Sequence, residues 1–274
     1  GIYNNRNASI VVNNVDITHN DYTGVENLGN YTMNGGYIRY HNPNADGGGV
    51  TNSGTFTLND GIISNNNVID NIGASYIYGY GGGVYNEYDV FVKHTEFIMN
   101  GGSIEFNYSD VAGGGIYCDS NTFLTINGGS IRNNRSLKGG GICLANTNFT
   151  DTINIENAEI SLNSAKNGGG IYDNTSVPIS IKNTKFSNNS ATEDGGGAYC
   201  NNEVNISGCT FLGNNAKNGG GISGYCDIDN CEIYANTATE DGGGLYKVGE
   251  ISYCNIYTNN AKNGGGINSS NDIS

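Results

Sequence analysis

Apolar residues recur along this chain in short alternations such as Ile153-Asn-Ile155 and Ile179-Ser-Ile181, without helical spacing. A period of two predicts strands that bury one face. A longer register lies over the alternation. An apolar residue is followed five positions later by Ile or Phe, and three further on by Asn. Val12–Ile17–Asn20, Leu58–Ile63–Asn66 and Met99–Ile104–Asn107 obey it, as do Ile126–Ile131–Asn134 and Ile155–Ile160–Asn163. Ile181–Phe186–Asn189, Ile206–Phe211–Asn214, Ile228–Ile233–Asn236 and Ile251–Ile256–Asn259 continue it. Met33–Ile38 places His41 where the others carry Asn.

A glycine triplet punctuates the same register. It ends at Gly49, Gly83, Gly115, Gly141, Gly170, Gly197, Gly221, Gly244 and Gly266, with reduced forms at Gly1 and Gly24. The commonest spacings are 22–27 residues, and wider ones read as insertions. A unit this short has no room for a βαβ crossover and predicts one turn of a solenoid. The expected fold is all-β, a right-handed parallel β-helix of about eleven coils in one repeat domain over residues 1–274. Longer coils fall near residues 50–115, with inserted loops at 67–80 and 84–97. At about 4.8 Å per coil the rod would be roughly 50 Å long.

Stacking gives each repeated position a role. Asn134, Asn163, Asn189, Asn214, Asn236 and Asn259 are expected to form an amide ladder, because each amide can both donate and accept between coils. Cys209, Cys231 and Cys254 share a slot that holds Gly, Ala or Thr in other coils, and read as small buried thiols. Stacked cysteines are close enough to bridge, so an adjacent pair could oxidise outside a cell. Cys118, Cys143, Cys200 and Cys226 follow the glycine corner and read the same way. Lys166, Glu193, Lys217, Glu240 and Lys262 alternate in sign at one position of successive coils, which predicts an ion ladder.

Composition narrows the function. Glycine is 44 of 274 residues, proline 2, and charged residues only 14%. Without its periodicity such a chain would read as disordered. The net charge of −14 disfavours nucleic acid and anionic membranes, which attract Lys/Arg fields. No apolar run is long enough to span a bilayer, so direct membrane insertion by this segment is not expected. Seven cysteines, an odd number, do not suggest a disulfide framework. The chain opens in mid-motif at Gly1 with no capping repeat in view, and reads as a fragment of a longer protein or a unit that associates end to end.

The GG-small-Ile motif paired with Phe/Ile-x-x-Asn resembles the repeat signature of chlamydial polymorphic outer-membrane proteins and related adhesin-like surface proteins. The resemblance covers essentially the whole chain. It implies a β-helix carried outside the cell, acting in adhesion to a cell-surface protein or glycan.

Against that background the candidate binding residues are Tyr76, Tyr78, Tyr80, Tyr85 and Tyr88, concentrated in the two long coils. Loops extruded from a regular scaffold carry binding more often than the scaffold does. Tyrosine clusters suit carbohydrate and protein ligands. Asp227, Asp229 and Glu232, with Glu203 and Glu250 in neighbouring coils, could form a calcium site or a glycosidase carboxylate pair. The calcium-roll repeat is absent, and the three histidines, His19, His41 and His94, lie in scattered coils. No catalytic residues, metal or cofactor are expected. The reading is an extracellular β-helix adhesin or stalk. A self-assembling filament or sheath subunit is the alternative, and a polysaccharide lyase or hydrolase the second.

Overall fold

The computed structural model describes residues 1–69, 79–92, 94–145 and 153–269. They form a parallel β-solenoid. Among these residues there is no helix long and apolar enough to cross a membrane. Each turn contributes strands to parallel ladders that run the length of the rod. The first ladder begins directly after the glycine corner and includes Ile2–Asn4, Val50–Asn52, Ile116–Cys118 and Ile171–Asp173. Its ten successive pairings define about ten turns between the eleven corner marks.

The second and third ladders carry the two apolar residues of the five-residue register. Met33, Leu58, Met99, Ile126, Ile155, Ile181, Ile206 and Ile228 stack in the second ladder and point inward. Ile38, Ile63, Ile104, Ile131, Ile160, Phe186, Phe211 and Ile233 do so in the third, each fully buried. Burying one such side chain is worth roughly 1.5–3 kcal/mol, and only stacking achieves it. Aromatic rings replace aliphatic chains in two runs of this core. Tyr31, Phe56 and Phe97 stack at 4.9 and 5.6 Å, and Phe186 on Phe211 at 4.5 Å. A fourth, shorter ladder includes Ser164–Ala165, Ser190–Ala191 and Asn215–Asn218.

The corners explain the triplets. The first glycine of each is left-handed, with φ +67° at Gly113, +59° at Gly139 and +63° at Gly168. That conformation costs an L-residue roughly 1–2 kcal/mol. The other two glycines are required by proximity. A Cβ on Gly140 or Gly141 would stand 2.6 Å from the carbonyl oxygen of Gly169 or Gly170 in the next coil. Parts of the stretches 67–80 and 84–97 are regular. Asn67–Val68, Val84–Asn86 and Glu96–Met99 are regular strands, and Tyr80 bridges to Ala112.

Candidate functional site

The third-to-fourth corner carries the expected asparagine ladder. It runs from Asn66 through Asn107, Asn134, Asn163, Asn189, Asn214 and Asn236 to Asn259. Each Nδ2 donates to the Oδ1 of the next asparagine at 3.0–3.1 Å and to an Ile or Phe carbonyl of the preceding coil. The backbone N–H donates to the same Oδ1, as from Asn134 to Asn163 at 3.0 Å. His41 continues the ladder. Its Nε2 donates to Ile17 O at 3.1 Å and its Nδ1 accepts from Asn20 N at 3.2 Å, which is the neutral tautomer. Burial lowers its pKa from 6.5.

Two further amide ladders are evident only in three dimensions. Asn4, Asn27, Asn52 and Asn86 join Nδ2 to Oδ1 at 2.7 Å beneath the first ladder. A fixed spacing after the glycine mark (IYN, VEN, VTN, VYN) is the signal that could have revealed them. Asn13, Asn34, Asn59, Asn100 and Asn127 form an exposed ladder at 2.8–2.9 Å.

The cysteine slot is a column of free thiols. Cys209 N donates to Cys231 Sγ at 3.3 Å, and Cys231 N to Cys254 Sγ at 3.4 Å. Hydrogen bonding to Cys209, then burial, raises the Cys231 thiol, and the same proton sharing lowers Cys209. Desolvation, only partly offset by hydrogen bonding to Asn86, pushes Cys118 up to about 12. These positions are structural in character. The charge column resolves into two pairs, Lys217–Glu193 at 3.6 Å and Lys262–Glu240 at 3.3 Å. Lys166 meets Glu193 through the backbone, its carbonyl accepting from Glu193 N at 2.9 Å.

Asp227, Asp229 and Glu250 line one open groove of about 450 Å³ with Ser207, Ser252 and Tyr253, and Glu232 stands outside it. Asp227 and Asp229 lie on the second ladder and Glu232 on the third. Asp227 accepts from Glu250 N at 2.9 Å, and Glu232 from Asn255 Nδ2 at 2.6 Å. The side chain of Glu203 lies outside the described residues. No group of three His, Cys, Asp or Glu among the described residues has metal-binding geometry.

Tyr80 and Tyr85 do come together, and with them Tyr117, which the sequence reading had left out. Tyr85 and Tyr117 are register partners in adjacent coils, with ring centroids 5.6 Å apart. Tyr80 lies 4.6 Å from Tyr117 and 6.5 Å from Tyr85. Its backbone is held by Asp46, whose Oδ1 accepts from Gly79 N and Tyr80 N at 2.7 and 2.8 Å. Burial first, then the charges of Asp119, Glu87 and Asp46, pushes the Tyr85 hydroxyl far above its usual range. The result is a half-buried aromatic patch with an acidic rim, beside an insertion. Tyr88 is 41% exposed and makes no ring contact with it. Tyr76 and Tyr78 lie outside the described residues.

No protein-family model, no curated protein and no solved structure matches the chain. Its class therefore rests on its own architecture, a parallel β-solenoid held by asparagine ladders.

Proposed function

We propose that the chain is an extracellular, cell-surface β-solenoid that serves as an adhesin or stalk, without catalytic chemistry, and that Tyr80, Tyr85 and Tyr117 are its contact with a cell-surface protein or glycan. The observation that carries this is the clustering of three half-buried rings where the regular coil is interrupted. The repeated asparagine, cysteine and Lys/Glu positions are by contrast largely occupied by one another, in amide, thiol and ion columns. Tyrosine offers large contact area at small entropy cost, which is why recognition surfaces use it. The resemblance of the repeats to those of adhesin-like outer-membrane proteins supports the same reading.

The test is a glycan array and a host-cell binding assay with the chain and a Tyr80→Ser/Tyr117→Ser variant. Two lost aromatic contacts should weaken binding at least tenfold, with the strand signal in circular dichroism retained. Equal binding by the variant would remove the patch from the reading. No binding by either protein would leave a structural spacer.

A further inference from the structure

A groove of about 440 Å³ lies over the fourth ladder, away from the tyrosine patch. Its floor is a file of register partners, Tyr108, Arg135, Ser164 and Ser190, one per coil. Arg135 sits 5.9 Å over the Tyr108 ring, and Lys166 and Leu137 form part of the wall. Among the described residues Arg135 and Lys166 are in no ion pair, nor are Lys138, Lys182 and Lys247, whereas Arg6, Arg39, Arg132, Lys185, Lys217 and Lys262 each hold a carboxylate. The hydroxyls of Ser164, Ser190 and Thr192 likewise have no hydrogen-bond partner there, whereas Ser109 and Ser136 are bound to backbone carbonyls. Leu137 leaves 55% of its surface open.

We infer that this groove binds a linear anionic polysaccharide laid along the rod. Two unpaired cations in adjacent coils supply the charge complement, and the row of free hydroxyls supplies hydrogen bonds to sugar hydroxyls. Leu137 and the Tyr108 ring supply apolar surface for the sugar C–H faces. The coil rise of about 4.8 Å approximates the length of one pyranose in an extended chain, so a repeating polymer meets a repeating surface. The net charge of −14 does not prevent this. Charges beyond a Debye length of about 8 Å are screened at physiological salt, which leaves the groove's own cations to decide. Asp110, at one end, accepts from the Tyr108 hydroxyl.

The site is separate from the tyrosine patch, so its success or failure is read independently. The test is calorimetric titration of the full chain with a hyaluronan octasaccharide (carboxylate), a chondroitin sulfate octasaccharide (carboxylate and sulfate) and a neutral cello-oligosaccharide. The expected result is binding of at least one acidic chain. Affinity should fall about tenfold in each of Arg135→Gln and Lys166→Gln, and stay within about twofold in Lys217→Gln and in Tyr80→Ser/Tyr117→Ser. Preference between the two acidic probes identifies the anionic group. The inference is overturned if neither acidic chain binds, if the neutral chain binds as tightly, or if the Arg135 and Lys166 variants bind like the parent.

Discussion

At the scale of single residues, His41 carries the sharpest consequence. It occupies an asparagine position, fully buried, and mimics the amide only while neutral. Protonation would bury a charge there, a cost that the carbonyls of Ile17 and Asn20 offset only in part. Its folded pKa lies below the unfolded 6.5, so the contribution is present above that pH and lost as pH falls below it. Thermal melts should therefore show stability declining from pH 7 to pH 5, and His41→Asn should remove that part of the slope. An unaltered slope in the variant would mean that other groups set it. The substitution of His for Asn was visible in the sequence because every other coil obeyed the register. The left-handed residues were not visible. Phe106, Leu162 and Ala235 have φ between +55° and +58°, just before the asparagine, where Asn65, Asn133 and Asn188 stand in other coils. Asn tolerates that conformation better, so Leu162→Asn should raise stability by about 1 kcal/mol in urea unfolding.

At the scale of the element, the asparagine ladder differs from a surface ladder in what replaces a lost amide. Asn163→Ala would orphan the buried Asn134 N, leave Asn134 Nδ2 with only its bond to Ile104 O, and remove the donor to Ile131 O and Asn189 Oδ1. The orphaned buried donor costs about 1–3 kcal/mol and each further lost bond about 0.5–1.5, so a total loss of about 2–5 kcal/mol is expected. Asn127→Ala removes one exposed bond to Asn100, which water replaces, and should stay within about 0.5 kcal/mol. Denaturant unfolding of the two variants measures the contrast. The buried ladder was legible because its spacing holds in nine coils. The ladder of Asn4, Asn27, Asn52 and Asn86 was harder to read because Cys118, Leu144 and Asp173 take over its position further along. The tyrosine patch was half legible. Tyr80 and Tyr85 are close in sequence, but Tyr117 joins them only through coil stacking.

At the scale of the whole molecule, each coil touches only its neighbours, so stability is a chain of local terms. The glycine corner is where that chain can be cut. In Gly141→Ala the new methyl would lie 2.6 Å from Gly170 O and 3.1 Å from Asn163 Nδ2, both held in ladders. Relief requires the coil containing Ile142–Leu144 to shift away from the one containing Ile171–Asp173. A globular domain would distribute that damage and lose amide protection evenly. A solenoid should open at the cut. Hydrogen exchange in the variant is expected to accelerate for residues of roughly the two coils around Gly141, while Val50–Asn52 on one side and Ile222–Asp229 on the other keep their protection. Uniform acceleration across all coils would show that the rod folds as one cooperative unit, and the nearest-neighbour account of its stability would then have to be abandoned.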